Sequence, residues 1–245
     1  RTFNVSTAAE LTAALAKAVG GDHVVLAAGN YGDVTLSKLT FASNVTLSSA
    51  DATHPAVFNS ISLSRVSNLT LDDVSVKFTP TDKTQDANAG IDIRNCSGIT
   101  VSNSHIEGGA SPLDGLLVGR GISALWSTNV TFSDNEVTAF RRGIFAGNVD
   151  GLNVLDNNVH HNRTSTLSGG NVSNVLVEGN ELSSSHPNDF GGTGDHGDYI
   201  HFWTTTGQVG ASSNIVIRGN FLAQGDGTAL LGIYLDDNTN NKGFK

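Results

Sequence analysis

At 245 residues, with 15% of its side chains charged and 38% hydrophobic, the chain suits one large domain, and its 28 glycines among many Asn, Ser and Thr favour short strands and turns over packed helices. A formal charge of −9, with 14 Lys and Arg spread thinly, argues against nucleic acid, because phosphate binding needs clustered cations. No apolar run approaches the roughly 20 residues that cross a bilayer, which argues against a membrane partner, and the single Cys96 excludes an internal disulfide framework.

Near the start, Thr7-Ala8-Ala9-Glu10 has the form of a capping box. Ala8, Leu11, Leu15 and Val19 then recur at helical spacing up to Gly20-Gly21, predicting a short amphipathic helix within an N-terminal cap of about residues 1–22. Asp22 through Tyr31 reads as a first strand and turn.

A repeat of the form apolar-x-apolar-x-x-Asn-x-apolar follows. It occurs at Val130–Val137 with Asn135, Leu152–Val159 with Asn157, Val175–Leu182 with Asn180 and Ile215–Leu222 with Asn220, and weaker copies start at Val45, Leu69 and Ile99. The starts at 130, 152 and 175 lie 22 and 23 residues apart, whereas the steps from 69 to 99, 99 to 130 and 175 to 215 are 30, 31 and 40, so a base period of about 22 to 24 carries insertions. Each copy alternates apolar and polar residues, the mark of a strand with one buried face, and such a face is buried only by stacking coil on coil. Asn at an equivalent turn predicts a side-chain amide ladder between coils. Cys96, within the turn-like Asn95-Cys96-Ser97, is expected to be buried rather than catalytic.

Between the Asn copies lies a second strand type, seen at Gly90-Ile91-Asp92-Ile93, Gly121-Ile122-Ser123-Ala124, Gly143-Ile144-Phe145-Ala146, Tyr199-Ile200-His201-Phe202 and Gly232-Ile233-Tyr234-Leu235. Two or three strands per turn follow. The fold class is therefore all-β: a right-handed parallel β-helix solenoid with a short N-terminal capping helix, read as a single domain over 1–245. No Asn copy follows Leu235, so the C-terminal end is expected to be incomplete, continued or covered by a further domain or another chain.

Placing the isoleucines of the second strand type inward makes Asp92, Ser123, Phe145, His201 and Tyr234 outward, with Arg94, Leu125, Gly147, Trp203 and Asp236 two residues on. Tyr199 falls on the same face, and Arg141-Arg142 opens a neighbouring strand. The stretch from Asp195 to Trp203, which includes His196 and Asp198, concentrates proton donors, proton acceptors and a flat stacking surface.

The opening, with an Ala/Leu capping helix before Gly21-Asp22-His23-Val24-Val25-Leu26 and Gly29-Asn30-Tyr31, resembles the start of the pectin-lyase-like β-helix superfamily, particularly its alginate-lyase and chondroitinase-B-like branch. The later Asn-containing coils resemble the repeats of mannuronan C5-epimerases. The resemblance implies a secreted enzyme acting on a polysaccharide that contains uronate. The Asp-Pro-His-Glu motif of the epimerases has only a partial counterpart in Asp195-His196-Gly197-Asp198, and the basic pair of the lyases is not identifiable.

β-Elimination or C5 epimerisation of a uronate starts by removing the proton α to its carboxylate and needs that carboxylate neutralised. Tyr199, His201, His196, Asp198 and Arg142 are the expected catalytic groups, and Trp203, Tyr234, Asp236, Phe145, Arg141 and Asp195 the expected substrate contacts. Two other readings stay open. One is a glycoside hydrolase using paired aspartates among Asp198, Asp236 and Asp237; the other is a non-catalytic glycan-binding or tailspike-like solenoid. Asp189, Asp195, Asp198 and Asp236 are hard oxygen ligands for a possible calcium ion, although no calcium-loop motif is present and no metal ligand is assigned. His160 and His161, adjacent in sequence, are expected to line the groove or be solvated rather than share a metal.

Overall fold

The alternation read from the repeat becomes a stack of parallel strands in a computed structural model, which describes residues 1–188, 194–205, 210–229 and 231–238. Val45, Leu69, Ile99, Val130, Leu152, Val175 and Ile215, the first residues of the seven copies, stand in register one above another. This is the first column of a parallel β-helix. A second column of short strands stacks Val76, Ile106, Val137, Val159, Leu182 and Leu222. The third stacks Ile61, Ile91, Ile122, Ile144, Leu167, Ile200 and Ile233.

Three columns face inward on one continuous core, in which residues such as Ile91, Val130, Ile144, Val159 and Ile200 are fully buried. Each coil exposes apolar edge to solvent unless another coil covers it, so burial and strand pairing reinforce each other along the stack.

The amide ladder forms at the corner between the first two columns. Asn135 Nδ2 donates to Asn157 Oδ1 at 2.9 Å, Asn157 to Asn180 at 2.9 Å, and Asn180 to Asn220 at 2.8 Å. Each of these amides also donates to a carbonyl of the preceding coil, as Asn157 does to Phe132. The residue before each ladder Asn (Asp134, Asp156, Gly179 and Gly219) has positive φ, the left-handed turn that Asp and Gly tolerate best.

The cap behaves as its sequence indicates at its start. Thr7 accepts the Glu10 N–H at 3.2 Å, and the Glu10 carboxylate reaches back to the Ser6 N–H at 2.8 Å. Leu11 and Leu15 are buried, but the helix, Ala8–Leu15, stops short of Val19, which is exposed. The reason is Asp22: its buried carboxylate accepts the Val19 N–H at 2.8 Å and pairs with Arg1, drawing the chain out of the helix. Cys96 is buried in its turn, where Sγ donates to the Arg94 carbonyl and burial pushes the thiol pKa up.

Candidate functional site

The outer face of the third column carries the site, but its coils are spaced differently from the sequence reading. The strand Leu167–Gly170 intervenes between Ile144 and Ile200, so Phe145 and His201 sit two coils apart with Ser168 between them. With one large apolar residue followed by Ser-Gly-Gly, this strand lacks the Ile-x-apolar pattern that marked the others. Its small residues leave room above it. Trp203 crosses Gly170, its register partner, and its ring centroid reaches 5.9 Å from that of Phe145.

The orientation expected for Tyr199 also changes. Its ring lies in the core cluster at 5% exposure instead of on the groove. At this corner two consecutive residues, Tyr199 and Ile200, are buried in the core, and simple alternation resumes only after Ile200. That double inward step brings Asp198 and His201 to one face, although residues three apart in a regular strand face opposite ways. Asp198 Oδ2 stands 3.4 Å from His201 Nδ1 and 3.6 Å from His196 Nδ1.

Asp198 is fully buried, and burial raises its pKa against the pull of His201 and His196. Burial lowers the pKa of His201, which Asp198 partly offsets. His201 is therefore a neutral imidazole near pH 7. Nδ1 faces the Asp198 carboxylate, neither of whose oxygens has a hydrogen-bond partner among the described residues, and Nε2 is buried and likewise without one. Rings enclose it: Trp203 and Tyr234 at centroid distances of 4.9 Å each and His196 at 5.7 Å.

Beside this group opens a cleft of about 420 Å³, lined by Arg141, Arg142, Arg163, Asp195, His201 and Trp203 among others. Asp195 is half-buried as a residue, its side chain only 4% exposed, and accepts from Arg163 at 2.7 and 3.1 Å, with Arg141 at 3.8 Å. It therefore organises cations where the sequence suggested a contact to substrate. Arg141 pairs with Asp86. Arg142 has no carboxylate partner among the described residues, and burial together with Arg141 lowers its pKa.

Phe145 is not the exposed platform that alternation implied. It is 8% exposed because the Arg120 guanidinium lies 3.8 Å from its ring centroid and Trp203 adjoins it. Asp236 is in register with Trp203, whereas Asp237 is in register with the buried Thr204 and takes the opposite strand face. Asp189 lies outside the described residues. Arg163 and Arg120 were missed as site residues. The signal for Arg163 was its place after the His160-His161 turn, where positive φ at His161 swings the chain back toward the third column.

The family described as "Right handed beta helix region" matches residues 23–208. Among solved structures the chain is similar to PfbA, a surface adhesin of Streptococcus pneumoniae, with 12% identity and a TM-score of 0.55 over 89% of this chain and 71% of that one. It also matches an alginate lyase from Paenibacillus sp. str. FPU-7 at 14% identity and TM-score 0.38, covering 97% and 99% of the two chains. The PL6 family alginate lyase AlyGC is 14% identical with TM-score 0.46, over 91% of this chain and 38% of that one. No curated protein matches the sequence. The family match runs from the first full coil through the strand that carries Asp198 and His201, and this chain belongs to the right-handed β-helix family.

Proposed function

We propose that this protein is a secreted enzyme that acts on an acidic, uronate-containing polysaccharide lying along the third column, where it removes the proton α to a uronate carboxylate. The observation that carries the reading is the juxtaposition, in one cleft, of Arg142, which has no carboxylate partner among the described residues, and His201 backed by Asp198. Arg142 neutralises the uronate carboxylate, which lowers the cost of the carbanion formed next to it. His201 is the base for the C5 proton, and the neighbouring Asp198 carboxylate favours the imidazolium that results. In elimination the electron pair forms the C4–C5 double bond, the C4–O bond breaks, and the leaving oxygen takes a proton from His196 or solvent. In epimerisation the carbanion is instead reprotonated from its other face. Trp203 offers the flat surface on which a sugar ring stacks.

A second reading is favoured by the run of rings Trp203, His201 and Tyr234, which suits a glycan-binding solenoid without chemistry.

Incubation with alginate, pectate, chondroitin and neutral glycans, with and without calcium, separates these. Unsaturated uronate products that vanish in His201→Ala support elimination, and C5 inversion seen by proton NMR of the polymer supports epimerisation. Reducing ends without unsaturation favour hydrolysis through the aspartates. Binding with no product selects the non-catalytic solenoid.

A further inference from the structure

At the corner after the second column, three successive coils bring His161, His186 and Asp226 together. Their strands stack in register through Val159, Leu182 and Leu222. One ligand atom from each residue lies within 4.8 Å of the others, and Asp226 Oδ1 is 3.4 Å from His161 Nε2 and 3.6 Å from His186 Nε2. Metal–ligand bonds of about 2.1 Å in a tetrahedron place ligand atoms about 3.4 Å apart.

The surroundings aim these atoms. His160 Nε2 lies 3.0 Å from Glu136 Oε1, and His160 Nδ1 lies 2.7 Å from His161 Nδ1. If His160 donates to the carboxylate, its Nδ1 accepts the His161 Nδ1–H, and the lone pair of His161 is left on Nε2, facing Asp226. Two imidazole nitrogens thus converge on one carboxylate oxygen. Asp226 sits between Gly225 and Gly227, at each of which a Cβ would collide with Ser184 or Ser185, so the turn carrying the carboxylate packs tightly on the coil below.

We propose that His161, His186 and Asp226 bind one divalent transition-metal ion, with Zn²⁺ the best match. Two imidazoles and a carboxylate suit a borderline ion, whereas Ca²⁺ and Mg²⁺ prefer all-oxygen shells. All three side chains are part-exposed, which leaves the fourth position to water. The ion ties three coils together beside the turn that carries Arg163 toward the cleft. Glu136 and His160 act as positioning residues.

The test is calorimetric titration of untagged, chelator-stripped protein with Zn²⁺, Ca²⁺ and Mg²⁺, with circular dichroism to verify folding. The expected result is one Zn²⁺ per chain and a raised Tm, no saturable binding of Ca²⁺ or Mg²⁺ at this site, and Zn²⁺ binding lost in Asp226→Asn and in His186→Ala. His161→Asn, which keeps a residue at ease with positive φ, should lose it too. Glu136→Gln should weaken binding by about 10- to 100-fold while leaving one site. Absence of saturable Zn²⁺ binding, or affinity unchanged in the folded Asp226→Asn and His186→Ala variants, overturns the proposal.

Discussion

The Trp203 indole occupies the space that a Cβ on Gly170 would need, with Cε2 2.6 Å from that position. Gly170 does not have positive φ, so alanine is barred there by the indole and not by the backbone. Gly170→Ala should displace Trp203 from Phe145, shift tryptophan emission and weaken polysaccharide binding, at an overpacking cost of about 1–3 kcal/mol. Emission and affinity indistinguishable from wild type would separate Trp203 from the binding surface.

In the proposed reaction His201 sets the acid limb of activity. Burial holds its pKa below the ordinary 6.5, so kcat/KM should fall only when the pH drops beneath that value. Asp198→Asn removes an attraction that raises the pKa and should move the limb further to acid, while His201→Ala should lose about 100- to 10,000-fold in rate. The stability sign follows from the same shift. The unfolded chain takes the imidazole proton near 6.5 and the folded chain only at lower pH, so the unfolded state binds more protons in that window. The contribution of His201 to stability is therefore lost as the pH falls through it, which urea titrations at stepped pH would measure.

Tyr199→Phe should fold and turn over substrate like wild type, because the phenol is buried within the core cluster. Loss of product in a folded Tyr199→Phe variant would return this hydroxyl to the reaction.

Arg142→Gln should cut kcat/KM on an acidic polymer by roughly 10- to 150-fold, the value of one charge-assisted contact, and leave binding of neutral glycans unchanged. An equal loss on both polymers would point to a packing role.

Asn157 both donates to and accepts from neighbouring ladder amides, and its removal orphans buried groups on two coils. Asn157→Ala should cost about 1–3 kcal/mol for each group left unpaired, measured by denaturant unfolding. Asp226→Asn, by contrast, alters an exposed turn and should leave the metal-free Tm close to wild type.

Short-range pattern was enough to read the solenoid. Period-two alternation, a recurring Asn and a capping box each act within a few residues, so the start of the capping helix at Ala8 and, from Val45 to Asn220, all seven copies of the repeat and the amide ladder were legible. That Arg142, His201 and Trp203 share one outer face was legible, because a β-helix maps strand position onto surface position, whereas Asp198 joins His201 only through the double inward step at the corner. What lay beyond the sequence were facts about corners and about the number of coils between two strands. Leu167–Gly170 has too few apolar residues to announce a strand, yet pairing on both sides makes it one, and its bare backbone lets Trp203 cross to Phe145. Which way Tyr199 turns depends on whether the corner spends one residue or two inward, and that is set by the space the neighbouring coils leave. The convergence of His161, His186 and Asp226 likewise joins residues up to 65 positions apart, a distance over which only the stacking of coils determines who meets whom.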